Sequence, residues 1–344
     1  MQRKELLKII NDLKLNLEGK TILTEAATGP YMVTPILASL SGAKKVYAFT
    51  KNTKYGTAKE VSLSFKKQLE KFNINNIQFI NILEPDVIGE ADIVTNSGHL
   101  RPLNEDKLKH LKKNAVISLM YEKWELRDSD VDINYCRKKK ITVGAVNERH
   151  KKIDVFSYLG DMSLKLAFDA GLCLYNNKYI LLCNNDFGPY IAQTLSKVCL
   201  KLGIIAPKKD KHLYKKLNID WLSNFPEINI PEEYRDTKGI VFTAYPFDKT
   251  WIGDKNAPIP IQKIKEKIDS PNILRFAGDI DTNVLNENNI SYHPAEVKSG
   301  HMGIIPSEIG FDPIIRLQAG GLKAGECLLS RNFNFEKQDI VELV

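Results

Sequence analysis

Short apolar runs alternate with helical patterns along most of the chain. Such alternation is typical of βαβ units built around a mostly parallel sheet, so we predict the α/β class. Helices are predicted between the strands, for example at 34–40 and at 104–111, where Asn104 caps a first turn rich in acidic residues. The predicted strands form a first series at 21–26, 45–50, 77–83, 92–96, 115–120 and 141–146, and a second series at 179–184, 239–245, 272–280 and 290–295.

The two series repeat one plan. ILTEAATGPYMVTPIL (22–37) aligns with LLCNNDFGPYIAQTLS (181–196), and four further landmarks recur in the same order. We therefore predict two doubly wound, mostly parallel Rossmann-like domains related by internal duplication and joined by crossover helices. The predicted boundaries are 1–153 for an N-terminal substrate domain, 154–172 for a crossover helix, 173–304 for a nucleotide-binding domain, and 305–344 for a return helix and C-terminal segment.

Composition narrows the functional classes. The chain has 344 residues, 43% of them hydrophobic, and its net charge of +7 is spread among interleaved acidic residues. This excludes a disordered chain, and no basic stripe favours a nucleic-acid partner. The five cysteines form no CxxC pair, which indicates a reduced compartment rather than a disulfide framework. Residues 1–20 are amphipathic and lack the apolar core of a signal peptide, so we expect a cytoplasmic protein without a membrane partner.

The predicted architecture resembles that of the formate/glycerate dehydrogenase family, shared by the D-2-hydroxyacid dehydrogenases and S-adenosylhomocysteine hydrolase. Residues 91–148 are similar to a catalytic-domain stretch of the former, and residues 17–53 are similar in layout to the first unit of the latter. The resemblance implies an NAD(P)-dependent oxidoreductase that acts on a small polar substrate in an interdomain cleft.

The late segment at 307–329 begins with a helical pattern and is predicted to turn through Gly320 and Gly321. We expect it to cross back to the first domain and to contribute to a homodimer. In the orientation that the family resemblance implies, Arg316 and Gln318 face the cleft.

The phosphate-binding turn departs from the family pattern. A dinucleotide fold carries Gly-x-Gly-x-x-Gly after its first strand, so that backbone amides at a helix start approach the pyrophosphate. Here CNNDFGPYIA (183–192) keeps one glycine, while Pro189 removes an amide donor and Asp186 adds a negative charge. Lys208 is either a ligand for the 2′-phosphate of NADP or a solvated loop lysine. The candidate cofactor-binding residues are Asn184, Asn185, Asp186, Gly188, Lys208, Thr243, Tyr245 and Asp279.

Ligands of open α/β sheets bind beyond the carboxyl ends of the strands. Polar residues follow most strands of the first half, although loops are often polar simply because they are solvated. The candidate substrate-binding residues there are Glu25, Thr28, Asn96, Ser97 and Arg101.

His301 is the first candidate for a general acid or base. It lies in GHMG (300–303), in a setting that resembles that of the catalytic histidine of D-2-hydroxyacid dehydrogenases, and an imidazole exchanges protons near neutral pH. By the same resemblance, Glu296 would pair with this histidine and Arg275 would bind a substrate carboxylate.

His99 is the alternative acid or base, because it follows a strand of the first half within NSGHLRP (96–102). Glu122 lies directly at a strand end and is a further catalytic candidate. The rest of EKWELRDSDVD (122–132) has alternating charges typical of a solvent-facing helix. No spacing matches a metal motif such as HExxH, so we expect no metal.

Three functions remain open. An NAD(P)-dependent oxidoreductase is implied by the resemblance and opposed by the altered phosphate turn. A transferase that uses S-adenosylmethionine needs no pyrophosphate site, and Asp186 or Glu25 would accept its ribose hydroxyls. A cofactor-free protein that binds a small molecule is the third. A nucleotide retained by the purified protein would separate the first two from the third.

Overall fold

The structure is a computed structural model that describes residues 2–53, 56–330 and 339–344. The chain divides into two compact units. Unit 1 comprises Met1–Val155 and Gly310–Val344, and unit 2 comprises Phe156–Ile309. The last segment of the chain therefore belongs to unit 1.

The described residues form strands and helices in regular alternation. The strands are β1 (Thr21–Glu25), β2 (Lys45–Phe49), β3 (Ile77–Ile80), β4 (Ile93–Thr95), β5 (Val116–Leu119), β6 (Thr142–Val146), β7 (Lys178–Cys183), β8 (Lys201–Ala206), β9 (Asp220–Asn224), β10 (Gly239–Thr243), β11 (Thr250–Gly253), β12 (Ile259–Pro260), β13 (Asn272–Ala277), β14 (Asp279–Ile280), β15 (Ser291–His293) and β16 (Val341–Leu343). The helices are α1 (Arg3–Leu13), α2 (Val33–Leu40), α3 (Ala58–Phe72), α4 (Pro85–Glu90), α5 (Glu105–Leu108), α6 (Ile133–Lys139), α7 (Tyr158–Asp169), α8 (Phe187–Val198), α9 (Lys211–Lys216), α10 (Ile261–Lys265), α11 (Thr282–Glu287) and α12 (Asp312–Leu329).

The main sheet of unit 1 has seven strands in the order β16-β6-β5-β4-β1-β2-β3. The strands from β6 to β3 are parallel, and β16 joins β6 in the antiparallel direction. Every residue of β1, β4 and β5 is buried, as expected for central strands that are covered on both faces. These strands therefore hold the loops at their carboxyl ends on a rigid frame.

The main sheet of unit 2 is parallel and has the order β15-β13-β10-β7-β8-β9. When strands are counted within each unit, both sheets follow the same order, which is that of the doubly wound dinucleotide-binding fold. The predicted α/β class and internal duplication are therefore confirmed. Strands β12, β11 and β14 form a separate small sheet within unit 2.

The turn predicted in the late segment is wrong, because helix α12 continues without a break through Gly320 and Gly321. A Cβ on Gly320 would lie 2.8 Å from Ile153 Cδ1, and one on Gly321 would collide with Met120 Sδ. The glycines let the helix approach the sheet closely, and they do not bend it. Gln318 is buried and accepts a hydrogen bond from Thr34 at 2.7 Å, while Arg316 donates to the Ile153 carbonyl at 3.2 Å.

The first helix follows its sequence pattern. Leu6, Ile9, Ile10 and Leu13 form the buried face of α1, and its charged residues lie on the opposite face. No helix in the described part of the chain is long and apolar enough to cross a membrane.

Candidate active site at the sheet edges

Each main sheet has one place where the strand order reverses, and ligands of open α/β sheets bind beyond the carboxyl ends of the strands at that place. We call it the switch point. In unit 1 it lies between β1 and β4, and in unit 2 it lies between β7 and β10. The two switch points differ in how their polar groups are used.

A buried carboxyl group spans the switch point of unit 1. Glu25 ends β1 with 7% of its surface exposed, and its Oε2 accepts a hydrogen bond at 2.9 Å from the backbone N–H of His99 in the loop after β4. Burial raises the pKa of Glu25, while the bond from His99 and the charges of His99, Arg101 and Lys51 oppose that rise. Glu25 is therefore suited to hold and release a proton.

Two buried polar atoms at the same place have no hydrogen-bond partner within the described chain. The Nδ2 of Asn96 is one, because it lies near the Tyr121 hydroxyl without a hydrogen bond of normal geometry. This side chain is only 1% exposed, and its Oδ1 is fixed by the N–H of Met120 at 2.8 Å. The Nδ1 of His99 is the other. An unsatisfied buried polar group costs about 1–3 kcal/mol, so two of them beside one carboxyl group indicate a site shaped for a ligand.

Positive charge lies at the edge of this site. Arg101 has 34% of its side chain exposed, and its Nη1 is 3.5 Å from Asp130 Oδ1. The hydroxyl of Tyr121 donates to Asp130 Oδ2 at 2.6 Å, and burial together with this carboxylate raises the pKa of Tyr121. A Cβ on Gly98 would lie 3.5 Å from Glu25 Oε2 and 3.6 Å from Arg101 Nη2, so both charged groups flank this glycine.

The structure thus brings together four of the five predicted substrate-binding residues, namely Glu25, Asn96, Ser97 and Arg101, and places His99 among them. Ser97 is buried, with its hydroxyl 2.7 Å from that of Thr95. The fifth, Thr28, lines a separate cavity that is described below.

Two members of this site are not evident from the sequence. Asp130 falls in the predicted solvent-facing helix, but it is buried, and the segment contains only a short 3-10 turn at Lys123–Glu125. Lys51 is the second, and it follows β2. Its position after a predicted strand was the available signal.

Glu122 belongs to an internal cluster of carboxyl groups, and its catalytic role stays a prediction. Its Oε2 accepts from Trp124 Nε1 at 2.6 Å and from Arg149 Nη1 at 3.0 Å, and its Oε1 accepts from the N–H of Glu148 at 3.2 Å. Burial raises the pKa of Glu122, of Glu148 and, to about 7, of Glu125. Both oxygens of Glu122 are therefore used within the protein.

In unit 2 the switch point is closed by two asparagines. Asn184 accepts from the N–H of Tyr245 at 2.7 Å and donates to its carbonyl at 2.9 Å. Asn185 donates to the hydroxyl of Thr243 at 2.9 Å and accepts from the N–H of Phe187 at 3.2 Å. The two bonds to Tyr245 and the bond to Thr243 tie the loop after β7 to the end of β10.

The first turn of unit 2 does not fit a dinucleotide pyrophosphate. The N–H of Phe187 and that of Gly188 both donate to Asn185, the second at 3.3 Å to its carbonyl, and Pro189 has no N–H. Asp186, at the start of α8, adds negative charge. A pyrophosphate needs amides that point outward from this helix start, and these amides are engaged.

Gly188 is closely packed, and its role as a cofactor-binding residue stays a prediction. A Cβ at this position would lie 2.6 Å from Cys183 Sγ and would collide with the hydroxyl of Tyr214. Lys208 lies just after β8 and is exposed, with its N–H bound to Asn224 Oδ1 at 2.9 Å. It remains a cofactor candidate on charge alone.

Arg275 and Asp279 form a buried internal pair, and their predicted roles as substrate and cofactor ligands stay predictions. Arg275 donates to Asp279 and, at 2.9 Å, to the carbonyl of Gly278. The other donors to Asp279 are Ser299 and, at 3.2 Å, the N–H of Gly300. This pair therefore holds the segment that carries His301.

His301 and Glu296 are both exposed, and neither is buried in a preformed site within unit 2. They stay predictions as an acid/base pair. No group of three or more His, Cys, Asp or Glu residues in the described part of the chain is arranged to hold a metal ion.

No protein-family model and no curated protein matches the chain. Among solved structures, it is similar to a dipicolinate synthase from Bacillus halodurans, with a TM-score of 0.55 and 12% identity over 88% of this chain and 96% of the other. A dipicolinate synthase from Bacillus subtilis gives a TM-score of 0.54 and 12% identity over 81% and 88%. Transhydrogenase from Sinorhizobium meliloti gives 0.51 and 11% over 93% and 96%. The chain shares the predicted two-domain Rossmann-like architecture with these proteins.

Proposed function

We propose that the protein is an oxidoreductase-type enzyme that acts on a small anionic substrate at the switch point of unit 1. The observation that carries this proposal is the pair of unsatisfied buried atoms, Asn96 Nδ2 and His99 Nδ1, beside the buried carboxyl group of Glu25. Such groups are costly unless a ligand completes their hydrogen bonds.

The charges around this site favour an anion. Asn96 Nδ2 is available to donate to a ligand, and Arg101 presents a partly exposed guanidinium of the kind that binds carboxylates well. Lys51 contributes a further positive charge near Glu25. A carboxylate on the substrate would satisfy the amide and the guanidinium together.

Glu25 and His99 supply the proton transfer in this proposal. Oxidation of an alcohol or amine carbon releases a proton from the O–H or N–H group, and a carboxylate or a neutral imidazole within hydrogen-bond reach accepts it. The raised pKa of Glu25 brings that group closer to neutral pH, where it works in both directions. His301 with Glu296 is the second acid/base candidate, on the resemblance alone.

A nicotinamide nucleotide, NAD or NADP, is the cofactor that this fold implies, and it would accept or donate the hydride. The first turn of unit 2 does not fit its pyrophosphate, so we derive no step through the nucleotide. The alternatives are an S-adenosylmethionine-dependent transferase and a cofactor-free binding protein. The predicted homodimer is part of the proposal, and light scattering tests it.

Thermal unfolding with added ligands tests the function. The probes are oxalate and pyruvate, alone and with NAD, NADH, NADP, NADPH or S-adenosylmethionine. A ligand at 100 times its Kd adds about 2.7 kcal/mol, a shift of several degrees. We expect a shift with a small carboxylate and a larger one when a nicotinamide nucleotide is added.

The matched variants are Asn96→Asp and Asn16→Asp. Both keep the Oδ1 acceptor and add one negative charge to unit 1. Asn16 is exposed; its side chain accepts from the N–H of Glu18, and its backbone N–H donates to Glu326. Loss of the carboxylate shift in Asn96→Asp alone would support the proposal. No carboxylate shift in the native protein, or equal shifts in both variants, would overturn it, and a shift with S-adenosylmethionine alone would favour the transferase.

A further inference from the structure

A cavity of about 350 Å³ lies in unit 1 between the turn after β1 and helix α3. This size is within the range of small-molecule sites in proteins. None of the groups at the Glu25–His99 site lines it. The lining residues are Ala27, Thr28, Gly29, Met32, Gly56, Glu60, Val61, Ser64 and Phe65.

The mouth of the cavity offers free backbone donors. Within the described chain, the N–H groups of Ala27 and Thr28 donate no hydrogen bond. Gly29 has φ +62°, in the left-handed region, and a Cβ there would meet nothing within 4 Å. This is the turn that corresponds to 184–188 in unit 2, where the amides are engaged, so the open turn of the duplicated fold is the one in unit 1.

One carboxylate is held at the same mouth. Glu60 Oε2 accepts from the N–H of Thr57 at 2.8 Å and from its hydroxyl at 2.9 Å, in the capping box that begins α3. These bonds lower the pKa of Glu60, so the group stays ionised. No described residue donates to the second oxygen, Oε1. The cap thus presents a fixed carboxylate oxygen to the cavity.

The inner wall is apolar. Met32 supplies its partly exposed part, with Val61 and Phe65, which are 3% and 0% exposed, packed behind it. Phe65 is held by an edge contact with Phe79 at a ring distance of 5.2 Å. None of the nine lining residues is basic. A flat apolar group fits this wall, while a phosphate group would find no cation.

We propose that the cavity binds a ribonucleoside without a phosphate group. The sugar hydroxyls donate to Glu60, because a carboxylate that accepts from a ribose diol is the usual partner of this sugar in such folds. The base lies against Met32, and its polar edge accepts from the N–H groups of Ala27 and Thr28. This site is separate from the one at Glu25 and does not depend on the proposed reaction.

Isothermal titration calorimetry with adenosine, 2′,3′-dideoxyadenosine and AMP tests this assignment on the full chain. We expect adenosine to bind, and dideoxyadenosine to bind at least about tenfold more weakly, because hydrogen bonds to a charged group are lost. AMP should bind more weakly than adenosine, because its phosphate meets the charge of Glu60. No adenosine binding at millimolar concentration, or equal binding of the dideoxy compound, would overturn the proposal.

Three variants locate the binding. Ser64→Trp fills the cavity and should weaken adenosine binding more than tenfold, while Lys67→Trp, exposed on the same helix and outside the cavity, should not. Glu60→Gln keeps the helix cap, since glutamine serves in a capping box, and should remove the preference for adenosine over the dideoxy compound. Unchanged binding in Ser64→Trp, or a preserved preference in Glu60→Gln, would contradict the site. Should Ser64→Trp not fold, Glu60→Gln decides alone.

Discussion

The two switch points are built on the same strand order and use their polar groups in opposite ways. In unit 2, Asn184 and Asn185 join the loop after β7 to the end of β10, and the turn amides are satisfied internally. In unit 1, the N–H of His99 donates to Glu25 and the hydroxyl of Thr95 donates to that of Thr24, while buried polar atoms of Asn96 and His99 are left without partners among the described residues. Two sheets with the same strand order can therefore differ in what they bind, because the side chains at the switch point determine which polar groups are available to a ligand.

The largest difference between the units is expected in the stability lost when Gly29 and Gly188, which occupy equivalent positions of the repeat, are replaced by alanine. Gly188→Ala forces a Cβ against Cys183 and Tyr214, so we expect it to lower the free energy of unfolding of unit 2 by about 2–3 kcal/mol. Gly29→Ala meets open space and carries only the strain of a left-handed residue, about 1 kcal/mol. Urea unfolding of each variant measures both. Equal losses would mean that the two turns are packed alike.

The next largest difference is expected in how the free energy of unfolding of each unit depends on pH. Burial raises the pKa of Glu122, Glu125 and Glu148 in unit 1, that of Glu125 to about 7, so between pH 4.5 and 7 the folded unit binds more protons than the unfolded chain. Its free energy of unfolding therefore falls as the pH rises through this window, by on the order of 2 kcal/mol. In the described part of unit 2, the resolved shifts of carboxyl pKa values are downward, at Asp220 and Asp236. Their contribution is lost only as the pH falls below about 3.8.

Hydrogen exchange at pH 7 and pH 5.5, corrected for intrinsic rates, reads the two units separately. Strands β5 and β6 should gain protection at the lower pH relative to β7 and β10. Glu148→Gln should flatten the dependence, and Glu70→Gln, at an exposed position of unit 1, should not. An unchanged slope in Glu148→Gln would show that the buried carboxyl cluster is not its source.

A smaller loss of stability is expected when the side-chain hydrogen bonds of Asn185 at the switch point of unit 2 are removed. Asn185→Ala removes bonds to Thr243 and Phe187, and we expect a loss of about 1–2 kcal/mol in unit 2. If the freed amides of the turn then bind phosphate groups, the thermal shift with NAD should increase relative to the native protein. A decreased shift would mean that Asn185 itself binds the nucleotide.

The smallest effect is expected at Lys208. Because its side chain is exposed, Lys208→Ala should change the free energy of unfolding by less than about 0.5 kcal/mol. Since the turn of unit 2 does not fit a pyrophosphate, the difference between the NADP and NAD thermal shifts should also stay the same. A selective loss of the NADP shift would restore Lys208 as a ligand for the 2′-phosphate.

Much of the fold could be predicted, because buried parallel strands are continuous apolar runs that are easy to recognise. The ten predicted strands all correspond to strands in the structure, within a few residues at their ends. Strands β8, β9, β11, β12 and β16 were missed. The last three have four residues or fewer and depend on their partners, but β8 and β9 are of ordinary length. The turn predicted at Gly320 and Gly321 was wrong, because close packing on the sheet overrides the weak helix propensity of glycine.

The candidate site was predictable in part. The rule that ligands bind beyond strand ends located Glu25, Asn96, Ser97 and Arg101, which the structure brings together at one switch point. Glu122 and Arg275 stay predictions, and their side chains are already bonded to neighbours within the protein, which the sequence does not reveal. Burial and partner geometry decide that question.

Ligand-dependent hydrogen exchange tests the central claim, that the small-molecule site belongs to the switch point of unit 1. The protein would be compared with and without oxalate and a nicotinamide nucleotide at saturating concentrations. We predict new protection in peptides that cover 25–32 and 93–103, with peptides covering 184–190 and 239–247 unchanged. Protection confined to the second pair of peptides would contradict the account and return the site to unit 2.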